Sequence, residues 1–209
     1  MKKWLIISLS AISILGFVQQ HGLTAEDKTS PEPENLYKID PTHSTIGFTV
    51  KHMQIGTTWG KFNDFSGEIH FDKKNLDKFY AKVIIEAKSI DTGLELRDAH
   101  LRGADFFDVE NYPAISFESK TLVEKDGNYE ITGNLTMHGV IKEISCLISI
   151  SGPVKSPFGQ EVIGLSGETV INRQDYGISW NDTMPDGGFV VGNDVRIIVY
   201  IEADRKPEI

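Results

Sequence analysis

The sequence predicts an all-β fold, an eight-stranded antiparallel up-and-down barrel with one short helix in a long connection. Two observations carry this. Apolar residues recur with period two through almost the whole chain after residue 36, the mark of half-buried antiparallel strands. The runs are joined mostly by short polar links, two of them with hairpin chemistry at Asp126-Gly127 and His138-Gly139. Closure into a barrel is preferred to a sandwich because it removes exposed strand edges.

The runs lie near residues 44–53, 61–71, 79–88, 113–124, 128–138, 140–151, 161–172 and 194–203. In the fifth, Tyr129, Ile131, Gly133, Leu135 and Met137 alternate with Glu130, Thr132, Asn134 and Thr136. In the last, Val195, Ile197, Val199 and Ile201 alternate with Arg196, Ile198, Tyr200 and Glu202. Only residues 89–112 and 172–193 form long connections. The first contains LELRDAHLRG, a helical turn or two, with Asp98 and Arg102 at the i, i+4 spacing of a surface pair. The second is irregular.

Residues 1–25 read as a secretory signal: Lys2 and Lys3, an apolar run from Trp4 to Val18, then Ala25 before the first acid. That run is shorter than the roughly 20 residues a membrane span needs, which favours a cleaved signal over a retained anchor. Residues 26–35 form an acidic, proline-containing leader, and residues 36–205 the barrel domain. The chain of 209 residues has a formal charge of −9. Loss of residues 1–25 removes two lysines and no acid, which takes the charge to −11. Such a surface argues against nucleic acid, whose phosphates need clustered Lys and Arg. The single cysteine, Cys146, builds neither an intramolecular disulfide nor a cysteine-rich zinc site.

An outer-membrane barrel has strands of similar length but presents an apolar outer face. Here the second face carries Lys82, Glu86, Glu130, Asn134, Lys142 and Glu202, so the processed protein is expected to be soluble rather than integral to a membrane. Small residues on the inward register, Gly67, Ala81, Gly133 and Gly167, suit either a side-chain-filled taper or an interior with space for one small ligand. Strands of about ten residues give a tunnel about 25 Å tall after tilt.

Catalytic motifs are sparse: GxSxG, HExxH, CxxC, Walker and GxGxxG patterns do not occur. The five histidines after residue 25 lack helical metal spacing. Asp40, His43 and Ser44 are acid, base and nucleophile types, but neighbours along a strand point to opposite faces, so no triad is expected. Neither a catalytic set, nor a metal, nor a cofactor is therefore assigned. The binding residues chosen by register are Phe48, Val50, His52, Phe65, Ile85, Phe117, Leu135 and Ile148, with Phe107 and Trp180 from the long connections closing one end.

Several stretches together resemble the YceI-like family: YKIDPTHSTIGFTVKHM, GKFNDFSGEIHFD, the run from AKSIDTG through LRDAHLRGADFFDVENYPAISFES, GNLTMHGVIKEIS and NRQDYGIS. The resemblance spans about residues 37–203. Ile141 and Glu143 depart from it, standing where Thr and Pro are usual after the HG turn. The resemblance implies a lipocalin-like barrel around a long apolar molecule, a polyisoprenoid or isoprenoid quinone, in exported bacterial proteins that are often dimeric. Together with the signal it leads us to expect a periplasmic lipid-binding protein for transport, storage or sequestration. Two other functions compete: a ligand-free interaction module presenting Trp59, Trp180 and Phe189, and an enzyme on an apolar substrate with His52 or His100 as base.

Overall fold

The computed structural model describes residues 35–185 and 187–205. The expected signal and all but the last residue of the leader lie outside the described residues. Eleven strand segments follow in order: β1 (Leu36–Ile39), β2 (Thr45–His52), β3 (Gly56–Phe62), β4 (Phe65–His70), β5 (Tyr80–Glu86), β6 (Ile90–Asp91), β7 (Ala114–Lys125), β8 (Asn128–Met137), β9 (Val140–Lys155), β10 (Glu161–Asn172) and β11 (Val191–Arg205). One helix, α1 (Glu95–Arg102), lies between β6 and β7.

These segments make eight staves. β1 and β2 lie end to end along β11, from Lys38 opposite Asp204 to His52 opposite Val191. β3 and β4 form the next stave, paired to β2 and β1. β5, β7, β8, β9, β10 and β11 then follow as antiparallel neighbours. Because β11 pairs with both β10 and the first stave, the ring closes. The eight-stranded barrel read from period two is thus the observed one.

Four staves, the first, second, sixth and eighth, are longer than the sequence predicts. The second begins at Gly56 rather than 61, since the chain reverses at Met53 and Gln54, whose φ angles of 49° and 63° form a tight turn without turn-favouring residues. The expected turns at Asp126-Gly127 and His138-Gly139 both have positive φ, as hairpins with matching twist require.

The break between β1 and β2 overturns one expectation. Residues 41–44 form a turn instead of continuing a strand, so Asp40 and His43 meet, with Nδ1 of His43 2.7 Å from Oδ2 of Asp40. Oδ1 of Asp40 accepts from the Thr42 backbone at 2.8 Å and from its hydroxyl at 2.6 Å. Ser44 takes no part. Its hydroxyl accepts from Glu202 N at 2.9 Å and donates to Glu202 O at 3.2 Å, stitching the turn to β11. The absence of a triad holds for a different reason: the serine is tied to backbone.

The helix carries a second correction. Asp98 is buried rather than a surface partner of Arg102. It accepts from Thr92 N at 3.0 Å and Thr92 Oγ1 at 2.5 Å, fixing the entry to α1. Arg102 pairs with Glu95 instead, at 2.8 Å.

The alternation of strand direction puts different structures at the two ends. At one end, Phe71 meets Phe79 and Tyr129 edge to face, with centroids 6.5 and 6.3 Å apart. Beside them Tyr37, Ile163 and Ala203 are almost fully buried, which makes a packed floor. Both long connections gather at the other end. There Trp180 packs against His100 and Phe106, at 4.9 and 5.1 Å between centroids, so the two connections interlock as a cap.

The inward glycines act by close approach. A Cβ on Gly133 would lie 2.5 Å from both the Glu118 carbonyl oxygen and the Phe117 ring. Gly133→Ala is therefore expected to destabilise the fold by about 1–3 kcal/mol through overpacking, seen as a lower urea midpoint with an unchanged slope. An unshifted midpoint would contradict the contact.

The Asp40–His43 clasp gives a titration test. The Thr42 hydroxyl first, then His43, hold Asp40 down to about 2, while Asp40 raises His43 above its ordinary 6.5. By linkage, the Asp40 contribution is present above an unfolded carboxylate's ~3.9 and is lost as pH falls through about 2. The His43 contribution has the opposite sign: it is present below 6.5 and lost as pH rises through the raised value. Asp40→Asn should return the His43 proton titration to the ordinary range in an NMR pH series.

Candidate ligand-binding cavity

The inward registers of the staves enclose a cavity between the floor and the cap. Its walls are almost wholly apolar, drawn from all eight staves and from Leu101, Phe106, Phe107 and Ile178 of the connections. Val83, Phe117, Ile144, Cys146, Ile197 and Val199 face inward on their strands yet are only partly buried. In a filled barrel these positions would be packed shut. Their remaining accessible surface faces the interior space.

That space is large. The centres of water-sized spheres have about 250 Å³ in which to move, whereas a single water needs only ~10–15 Å³ on this measure. Apolar cavities of this kind favour an apolar guest over water, since water finds no hydrogen-bond partners on such walls. The inward glycines do not create this space as holes. Phe117 lies over Gly133, and Phe48 over Gly60, where each glycine lacks the Cβ that would obstruct the ring. Rings seated over these glycines leave the centre open.

Seven of the ten residues chosen from the sequence line the cavity: Phe48, Val50, Ile85, Phe107, Phe117, Leu135 and Ile148. Three do not. His52 shares the register of Val50 but stands at the end of β2, beyond the enclosed space, and is exposed. Phe65, at the start of β4 opposite Ile85, is buried in the packed core without reaching the cavity wall. Trp180 closes the cap through its contacts with His100 and Phe106 and does not touch the cavity.

Among the lining residues outside the ten are Cys146 and Arg173, which bring polar atoms to the wall. Cys146 sits beside Gly167, with Sγ 3.3 Å from the Glu168 carbonyl oxygen. Burial first, and the Glu168 charge second, push its thiol pKa up, so it behaves as a small apolar wall group. Arg173 is 4% exposed and lines the cavity at the cap. It donates from Nε to Gly192 O at 2.9 Å and from Nη1 to Ile178 O and Trp180 O, both at 2.8 Å. The signal was present in the sequence: Leu165, Gly167, Thr169 and Ile171 set an inward register that places Arg173 next.

Outside the cavity, His100 and Asp105 are 2.9 Å apart on the surface of the cap. The ligand atoms of Asp40, His43 and Glu202 lie within 4.8 Å of one another, on the outer rim and away from the cavity lining. Trp59 and Phe189 are exposed, whereas Trp180, grouped with them as a partner surface, is held in the cap. Among the described residues no helix is long and apolar enough to cross a membrane.

Comparison with known proteins agrees with this architecture. The chain is 35% identical over 207 residues to a UPF0312 protein of Pectobacterium atrosepticum, covering 99% of this chain and all of that one. It is 38% identical over 172 residues to a UPF0312 protein of Pseudomonas aeruginosa, covering 81% of this chain and 87% of the relative. Among solved structures, a Campylobacter jejuni YCEI protein superposes with a TM-score of 0.62 at 31% identity, over 75% of this chain and 90% of that one. BcnA of Burkholderia cenocepacia gives 0.70 at 21% identity, over 78% and 98% of the two chains. A polyisoprenoid binding domain from Saccharophagus degradans gives 0.63 at 17% identity, over 82% and 98%. These last two likenesses concern the fold. The family model for the YceI-like domain matches residues 37–203, and the chain belongs to that family.

Proposed function

We propose that the protein is an exported, soluble carrier that holds a long-chain isoprenoid lipid, or an amphiphile of similar shape, inside the barrel. The observation that carries this reading is the apolar-walled cavity, far larger than a water site. The Saccharophagus domain of the same fold, described as binding polyisoprenoid, supports the ligand class. The sequence pattern of residues 1–25 supports export to the periplasm. Binding without turnover fits the cavity chemistry, since its wall places no nucleophile beside a base.

The energetics suit such a role. Each CH₂ leaving water contributes about 0.8 kcal/mol, and chain ordering with lost translation offsets much of the sum. Walls of this kind reward apolar length and offer little discrimination along the tail. Selectivity falls to cavity length and to polar groups at its ends.

Mass spectrometry of an organic extract of the purified full chain is expected to show a co-purifying isoprenoid-type lipid. A plug variant supplies the control. Gly133 is a poor site for it, because any side chain there collides with the Glu118 carbonyl. Cys146→Trp instead fills the cavity from a wall position that faces open space. That variant should keep the β-sheet circular dichroism of the parent and lose lipid. A folded plug variant that retains the parent's lipid would refute an interior site. A lipid-free parent that takes up no added geranylgeraniol would refute the carrier reading as a whole.

A further inference from the structure

We propose that the cap end of the cavity is an anion-selective head-group site centred on Arg173, so that the preferred guest is a long apolar chain bearing an acidic head, such as a prenyl phosphate or a fatty carboxylate. This deepens the carrier reading and rests on it.

Arg173 follows β10 and continues the inward register, so it lines the cavity with almost no contact with solvent. Its four hydrogen bonds go to neutral acceptors: the carbonyls of Gly192, Ile178 and Trp180, and, at a long 3.4 Å, Oδ1 of Asn193. Among the described residues it makes no ion pair. The other polar groups on the same wall are engaged elsewhere. The Glu168 carboxylate points outward to Arg196 at 2.8 Å, and the Thr169 hydroxyl donates to Ser145 O at 3.1 Å.

A guanidinium has five donors in a planar fork. Nη2 here makes one long contact, so it holds spare donor capacity where the fork is otherwise satisfied. A buried cation balanced only by carbonyl dipoles gains from any anion that reaches it, and the apolar walls leave that attraction poorly screened. The direction of its pKa shift, downward from burial with no opposing charge, is consistent with a charge that lacks a counter-ion. At the far end the lining residues Ile39, Ile69, Ile131 and Ile148 offer an entering group only apolar contact. The guest is therefore polarised: acidic head at the cap, tail toward the floor.

The test compares two probes with the same tail. Geranylgeranyl phosphate and geranylgeraniol are titrated into the delipidated full chain at moderate salt. The phosphate is expected to bind at least about tenfold tighter, as a charge-assisted contact to a buried fork would give. In Arg173→Gln the ratio of the two affinities should fall toward one, whatever the loss of the cap hydrogen bonds does to both affinities alike. Arg173→Lys, which keeps the charge and loses the fork, should fall between. A purely structural Arg173 would lower both affinities together and leave the ratio intact. Equal affinity for the two probes in the parent overturns the head-group site and leaves the carrier reading standing. A phosphate preference that survives Arg173→Gln overturns it as well. Should Arg173→Gln fail to fold, the ratio in the parent and in Arg173→Lys still decides. If neither probe binds the parent, the carrier reading falls and takes this site with it.

Discussion

Everything in this molecule depends on β11 pairing on both sides. Twelve of its fifteen residues, Asp194 to Arg205, run along β10, and the strand pairs with β2 and β1 on the other edge. Without that second seam the meander would be an open sheet with two long edges exposing unpaired backbone. With it, the inward face becomes an interior. The seam has to cross a turn at residues 41–44, where no ladder bond forms, and Ser44 bridges the gap by bonding both N and O of Glu202. The Asp40–His43 clasp then holds the turn itself. Residues that looked like chemistry in the sequence serve closure.

Closure alone would allow a filled core, and the sequence left filled and hollow readings open. What decides is how aromatic rings are placed. A large side chain pointing at the barrel axis fills it, whereas one lying across a glycine of the neighbouring stave lines it. Phe48 and Phe117 take the second course over Gly60 and Gly133. Bulk is moved from the axis to the wall, and the freed volume collects between floor and cap. The two ends are unlike for a topological reason: short turns close the floor end, except for the link after β4, while both long connections emerge at the cap. The floor packs because its rings come from strand termini held in register. The cap is built from irregular chain that interlocks only through Trp180, His100 and Phe106.

The barrel was legible because period two is a local signal repeated eight times. Of the seven chosen residues that line the cavity, Phe48, Val50, Phe117, Leu135 and Ile148 lie well inside their strands, where register and direction determine each other. The misses lie where that link breaks. His52 has the right register at a height where the barrel has ended. Phe65 stands at the joint between β3 and β4, so its ring turns into packed core. The turn at Met53 and Gln54 left no trace, because positive φ in those residues is stabilised by the flanking ladder rather than by their own propensity. Asp98 was misread as surface because i, i+4 spacing does not say which face of a short helix is covered. Trp180 stands at one end of the barrel, where its contacts are with His100 and Phe106 of the cap and not with the interior.

Arg173 shows how a single inward polar residue organises irregular chain. A strand normally ends when its partner ends, and the backbone beyond it must find other donors. Here three carbonyls, those of Ile178 and Trp180 in the loop and of Gly192 at the start of β11, turn toward one guanidinium. The loop after β10 opens with a short 3₁₀ turn at Arg173–Tyr176, and the Arg173 side chain satisfies carbonyls both within the loop and in β11. The carbonyls in turn make the burial of a charge tolerable without a carboxylate. Substituting an acid for them would neutralise the site and leave the cavity without a field. Carbonyl dipoles stabilise the cation while leaving its net charge in place, at the one end of an apolar chamber where loops rather than packed rings form the boundary. The same arrangement that fixes the cap therefore also gives the interior its polarity.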